Sequence, residues 1–469
     1  MLRNFIIFIP KGVAVIGFDY GTSNCAVVIM AAPSNSGASG QATLLPIDGD
    51  QSFMPSTLYA LERELICEFV GHHITNHDLK NQYIDLRKSR LLQAQRMRHE
   101  HGIQADEQAL FFGHDAFEKY MEMPTEGYFI KSPKSFLGAS GLRPEFVQFF
   151  EDIVTSMMQN IKHKADKALG KEITQTVIGR PVNFQGLNSE KSNQQALEIL
   201  TLAAKRAGFK EVEFLFEPIA AGLDFETKLQ DNTTVLVVDI GGGTSDCAMV
   251  RMGPDYRDNA DRESDFLGHT GERIGGNDLD IQLAGKQLMP LFGMRSALKS
   301  GRPMPTQAFW NAVTTNDAGA QADYNSQDTS VLLRQLMLET AEPEILKRFI
   351  ALRESKQNHR IVRLAETIKI GLSDTDRQLT QLDHFEAGLQ SDITQDQLAE
   401  AIKSPLEKMT HLMKEAVKQA DTKPDTIYVT GGSAKSTVLQ QAIKHTFGDI
   451  NIVDGDHFGS VTAGLTCWA

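Results

Sequence analysis

Val235 to Val250 reads Val-Leu-Val-Val-Asp-Ile-Gly-Gly-Gly-Thr-Ser-Asp-Cys-Ala-Met-Val. The first apolar run is short, β-branched and closed by a breaker, so it predicts a buried strand rather than a piece of helix. Asp239 ends that strand. Gly241, Gly242 and Gly243 carry no Cβ, so their N–H groups can converge on an anion that any other side chain would exclude. Thr244 and Ser245 add hydroxyls. A carboxylate placed just before such a nest suits magnesium, which bridges Asp oxygens, water and phosphate oxygens. Alone, the stretch could equally be a tight hairpin whose glycines serve only backbone geometry. A second copy argues against that. Val13 to Met30 again runs apolar into Asp19-Tyr-Gly21-Thr22-Ser23-Asn24 and returns as an apolar strand with Cys25. Two hairpins of one design, far apart in the chain, predict a duplicated fold that clamps a nucleotide triphosphate between its halves.

Size and charge narrow the partners. The 469 residues allow about three domains at ~150 residues each. A net charge of −13 without a Lys/Arg run speaks against tracking a nucleic-acid backbone. Four scattered cysteines, Cys25, Cys67, Cys247 and Cys467, show no metal spacing and are sparse for a disulfide framework, which points to a reducing cytoplasm. Phe5 to Ile9 is shorter than the ~7–15 apolar residues of a signal peptide, and nothing approaches the ~18 of a membrane span. The expectation is a soluble cytoplasmic protein with no nucleic-acid or membrane partner, residues 1–12 forming an N-terminal extension.

Taken in order, Ala31 to Gly40 reads as a Ser/Gly-rich loop, followed by strands near Leu44 and Leu58. His72, His73 and His77 have no acidic or Cys partner at ligand spacing and read as surface residues. Phe129-Ile-Lys131-Ser-Pro-Lys134-Ser-Phe-Leu-Gly138 offers two lysines that either reach a phosphate or are solvated. A long helix is expected from Gly141 to Gly170, with Pro144 in its first turn. A strand at Gln175 to Pro181, a helix at Asn188 to Ala207 and a strand at Val212 to Phe216 lead to Glu217-Pro218. There a carboxylate stands at a strand-to-helix corner, as a ligand group or as a plain helix cap. Gly275-Gly276-Asn277-Asp278 opens a helix. Leu291 to Met337 shows no sustained period, Glu344 to Leu372 reads as a helix, and strand, helix, strand follow to Tyr428. Gly431-Gly432-Ser433 then breaks a strand before another helix.

This order of phosphate hairpin, lysine loop, Glu-Pro corner, second hairpin and Gly-Gly-Ser turn resembles the ATPase domain of DnaK-type heat-shock chaperones, within the actin-like ATPases, and most nearly its short YegD-like members. The resemblance runs from Val13 almost to Ala469 and is weakest between 291 and 337. It implies an α/β actin-like fold of two lobes, each a mixed β-sheet flanked by helices, with residues 13–230 as the first lobe, 231–469 as the second and 291–337 as an atypical insertion. ATP or ADP with magnesium would lie in the cleft. Gly21, Thr22, Ser23, Asn24 and Gly241 to Thr244 would hold the phosphates, while Asp19, Glu217 and Asp239 would order the metal and its waters. Lys134 looks like the lysine that positions the attacking water or the γ-phosphate, with Asp246 a further polar group. Glu366, Lys369 and Ser373 resemble the ribose and adenine contacts, opposed by Gly431, Gly432, Ser433 and Lys435.

Three departures accompany the match. Ile370 stands where the family usually has an arginine over the base. Lys435 replaces another arginine, and the helix after Pro181-Val-Asn-Phe lacks the arginine that relays nucleotide state. The sequence also ends where the family's peptide-binding domain would begin. These features imply a slowly hydrolysing, chaperone-like switch that signals to a protein partner through lobe closure. The alternatives are a sugar-type kinase and an actin-like filament or interaction module.

Overall fold

The computed structural model describes residues 15–30, 42–139, 143–184, 189–257, 262–455 and 459–468. The N-terminal extension and the loop expected at 31–40 lie outside them. Both expected hairpins form. Val15–Tyr20 pairs antiparallel with Asn24–Met30, placing Asp19 opposite Ala26. Thr233–Ile240 pairs antiparallel with Ser245–Met252, placing Asp239 opposite Asp246.

Each hairpin seeds a mixed sheet. Val15–Tyr20 takes Gln175–Arg180 as a parallel neighbour, and Glu211–Phe216 extends that side. Thr233–Ile240 likewise takes Thr426–Thr430 and then Asn451–Asp454. Beyond the return strands lie Ala42–Leu44 in one sheet and Phe266–Glu272 in the other, both antiparallel. The two halves thus repeat one strand order. Parallel neighbours require crossovers, which the helices Ser189–Ala207 and Thr437–Phe447 supply.

Two helices bind the halves together. Glu217–Glu226 and Ser460–Trp468 contribute Ile219, Ala220, Ala221, Val461 and Leu465 to a core that also takes Val177 from the first sheet and Val235, Val237 and Tyr428 from the second. Their approach is close enough to need a glycine, because a Cβ on Gly464 would lie 1.6 Å from the Ala220 carbonyl oxygen.

Several elements differ from expectation. The helix expected across 344–372 is two, Pro343–Glu354 and Asn358–Asp374. The chain turns between them at Lys356 with φ 50°, and the Gln357 N–H folds back to the Leu352 carbonyl. Apolar periodicity continues on both sides of the break, which hides it in the sequence. Residues 291–337 contain Gln307–Val313, Ala318–Asn325 and Gln327–Glu339, which bury Phe309, Tyr324, Leu333 and Leu336 in the core of the second half. The first two are too short to display a helical period. A two-stranded hairpin, Arg377–Gln381 with Gln390–Thr394, occupies the place of one expected strand. No described helix is long and apolar enough to cross a membrane.

Candidate nucleotide site

The two hairpin turns meet. Ser23 Oγ and Thr22 of the first lie so close to the second that a Cβ on Gly242 would be 1.9 Å from Ser23 Oγ, and one on Gly243 would be 2.7 Å from Thr22 Cγ2. Glycine at these positions is therefore demanded by the opposite hairpin as well as by the turn. Around this meeting opens a cleft of about 880 Å3, partly continuous with solvent. Asp19, Gly21, Thr22, Ser23 and Asn24 line it from the first hairpin, and Asp239, Gly241, Gly242 and Thr244 from the second. Glu217, Glu366, Lys369, Gly431, Gly432 and Ser433, also expected here, line its walls.

Below the turns is a buried charge cluster. Ser132, held at φ 57°, donates its N–H to the Ser56 carbonyl and leads into the 3-10 turn Pro133–Phe136, which delivers Lys134 inward. Lys134 Nζ donates to Glu217 Oε1 at 2.5 Å, and both side chains are buried. Of the two readings left open by the sequence, the solvated lysine is thus excluded. Burial opposes the ammonium charge, but Glu217 and Asp19 outweigh it and hold Lys134 above the usual lysine value. Burial, then repulsion from Glu217, pushes Asp19 up to about 7 against the pull of Lys134. Asp239 is raised well above the carboxylate range by burial and then by Glu217, Asp246 and Asp19. Asp246 is pushed up to about 8 by burial and Glu217, although Oδ1 accepts the Val182 N–H at 2.7 Å. Its Oδ2 is buried and has no hydrogen-bond partner among the described residues. Lys134, with Arg180 acting on Asp246 and Glu217, faces four carboxylates, which leaves a site that would welcome positive charge.

The opposite wall adds residues that sequence reasoning missed. The helix Gly276–Leu283 docks its first turn on the glycine turn, with the Gly276 N–H donating to the Gly241 carbonyl and the Asn277 N–H to the Gly242 carbonyl. Asn277 bridges the halves: its Nδ2 donates to Ser132 Oγ, and its Oδ1 accepts from Ser23 Oγ at 3.4 Å. Asp280, one turn on, pairs with Lys369 at 2.7 Å. The Gly-Gly-Asn-Asp opening was visible, yet nothing local says that it docks on another turn. Ile370 also lines the cleft and is half exposed, an apolar wall where the family's arginine would stand. Lys134, Gly243 and Asp246 lie behind the lining. Ser373 faces its own helix, donating to the Lys369 carbonyl, and Lys435 is exposed outside the cleft. His72 and His73 end one helix and His77 begins the next, all exposed.

Comparison with known proteins agrees with this arrangement. The family model described as Hsp70 protein matches residues 145–284, which include the Glu-Pro corner, the second hairpin and the Gly276–Leu283 helix. The chain is 33% identical over 134 residues to the chaperone protein dnaK of Emiliania huxleyi, covering 28% of this chain and 19% of that protein. It is 28% identical over 177 residues to the dnaK of Guillardia theta, covering 37% and 26%. It is 24% identical over 308 residues to dnaK3 of Synechococcus elongatus, covering 64% and 32%. The matches span about a fifth to a third of the length of these relatives. With its repeated sheets, meeting hairpins and Glu-Pro corner, the chain has the actin-like ATPase fold, and over residues 145–284 it is similar to Hsp70-type proteins.

Proposed function

We propose that the cleft binds ATP or ADP with magnesium, hydrolyses ATP slowly, and reports its nucleotide state to a protein partner through lobe closure. The observation that supports this most is the contact of the two turns, since a phosphate chain lying along it would receive backbone N–H groups from Gly241 to Thr244 and hydroxyls from Thr22, Ser23 and Thr244. The donor set beside the turns is carboxylate oxygen, which suits a hard cation. Among the described residues no three His, Cys, Asp or Glu side chains converge to hold a metal unaided. Magnesium commonly keeps several waters and borrows phosphate oxygens, so Asp19, Glu217 and Asp239 would hold it largely through those waters. When bound, the ion would supply charge stabilisation at the phosphate oxygens.

The chain's own residues would then position the reaction. Attack by water forms a bond to the γ-phosphorus as the bond to the bridging oxygen breaks, leaving ADP and phosphate. Lys134, fixed by Glu217, is the buried cation available to orient the γ-phosphate or the water. Two contacts join the halves beside the cleft and would form part of a closing hinge: Tyr120 Oη donates to the Lys356 carbonyl at 2.5 Å, and Lys131 lies 3.4 Å from Glu366. Ligand contacts on both sides bias such a hinge toward the closed form.

Phosphate release tests the reaction. ADP and phosphate should appear together, unchanged by added sugars. ADP formed only with a sugar, and without phosphate, would instead indicate a kinase, and ATP-driven pelleting would indicate a filament. For the partner, pull-down with ATP against ADP should differ in yield, and identical yields would reject a nucleotide-gated interface.

A further inference from the structure

We propose that a second cavity, separate from the nucleotide cleft, binds a small amphipathic anion consisting of an aromatic body and one carboxylate. The cavity, about 1030 Å3 and open to solvent on one side, lies between the two halves of the chain. One wall is aromatic: Tyr128, Phe129, Phe136, Phe146, Phe149 and Phe150. Phe136 and Phe150 stack at 5.3 Å, while Tyr128 and Phe149 meet edge to face at 5.7 Å. The facing wall comes from the short helices of the second half, through Thr315, Ala318, Gln321 and Ala322, and from His359. Phe146 and Tyr128 remain 45% and 38% exposed, so apolar surface is left here for a ligand to cover.

Charge selects the ligand class. In a chain of net charge −13, no Asp or Glu among the described residues lines this cavity. Arg63 lies over the Phe149 ring, with Cζ 4.0 Å from its centroid, and has no carboxylate partner among the described residues. A stacked guanidinium is held in one orientation and keeps its N–H edge for a carboxylate. The other cation, Lys131, is already engaged by Glu366. His359, held down to about 3 by burial and then by Lys131, is neutral, and its buried Nδ1 has no hydrogen-bond partner among the described residues. One free guanidinium among aromatic rings fits a monoanion with an apolar body. A phosphate ester or a second nucleotide would bring two charges to a site with one unpaired cation.

The Lys131–Glu366 pair separates the two sites, since Lys131 lines this cavity and Glu366 the nucleotide cleft. Because the walls belong to opposite halves, an occupant favours the arrangement in which they face each other.

Calorimetric titration of the full chain without nucleotide, using 4-phenylbutyrate and its neutral isostere 4-phenylbutyramide, tests the assignment independently of what the cleft binds. The carboxylate should bind about tenfold tighter than the amide, the size of one charge-assisted hydrogen-bonded contact. Arg63→Gln should abolish that preference and leave amide binding unchanged. Ala322→Trp, at an exposed residue of the facing wall, should fill the cavity and weaken both ligands about tenfold. Equal affinity of the two ligands in the wild type, a preference that survives Arg63→Gln, indifference to Ala322→Trp, or no saturable binding at about 10 mM would each overturn the proposal.

Discussion

Asp19 stands opposite Ala26 in the first hairpin, and Asp239 stands opposite Asp246 in the second. The first turn carries one glycine and presents side chains, Thr22 and Ser23, to its neighbour. The second carries three glycines and presents backbone, with its carbonyls tied to the first turn of the Gly276–Leu283 helix. The two hairpins thus divide the contact: the first presses the side chains of Thr22 and Ser23 against the glycine backbone of the second. Charge is divided too, because the second hairpin buries two carboxylates at one ladder position where the first carries one, the partly exposed Asp19. The repeat preserves topology while the chemistry at its turns diverges.

The strongest way to break this comparison is to remove the cation shared by both hairpins. Lys134→Ala leaves Glu217 buried and unpaired beside Asp19 and Asp239, and should cost about 3–5 kcal/mol in denaturant unfolding. A change within experimental error would mean that the charge cluster is already neutralised by protons. Next in size, Gly242→Ala should cost about 1–3 kcal/mol by overpacking against Ser23, whereas Gly241→Ala, whose Cβ would meet nothing nearer than 3.6 Å, should stay within roughly 0.5 kcal/mol. Adding Ser23→Gly should restore most of the Gly242→Ala loss, and simple additivity of the pair would show that the turns do not press on one another.

Asp239→Asn sharpens the electrostatic difference. Removing one of the crowded carboxylates should raise the melting midpoint of the nucleotide-free protein by roughly 2–4 °C while weakening magnesium-dependent ATP binding. A lowered midpoint would count against Asp239 being destabilised by burial among like charges. A further test is the pH slope due to Asp246. Its carboxyl titrates near 8 in the folded chain and near 4 when unfolded, so between those values the folded state holds more protons. Stability contributed by this group is therefore full below about 4 and declines as pH rises toward 8. Asp246→Asn should flatten the fall in melting midpoint of the nucleotide-free protein across that window, with chelator present. An unchanged slope would assign it to other groups.

Much of the site was legible because its residues announce themselves locally. An apolar strand ending in Asp, then glycine and hydroxyls, has few physical readings, and repetition of the pattern leaves fewer. The Glu217-Pro218 corner and the Gly431-Gly432 turn belong to the same kind of signal. What stayed hidden depends on partners distant in sequence. Asn277 bridges Ser23 and Ser132 only after three segments have met, and Asp280 reaches Lys369 only through helix docking. The break at Lys356 leaves the apolar period intact, and the helices Gln307–Val313 and Ala318–Asn325 have too few turns to show one. The aromatic cavity is likewise assembled from residues spread between Arg63 and His359.

The claim that one ligand is held jointly by both copies is tested most directly by ATP titration calorimetry, with magnesium and with chelator, on the wild type, Asp19→Asn and Asp239→Asn. One molecule of ATP should bind per chain in a magnesium-dependent manner, and each substitution, one in either hairpin, should remove most of that dependence. Magnesium-dependent binding that survives either substitution unchanged, or the absence of ATP binding altogether, would contradict a nucleotide clamped between the two hairpins.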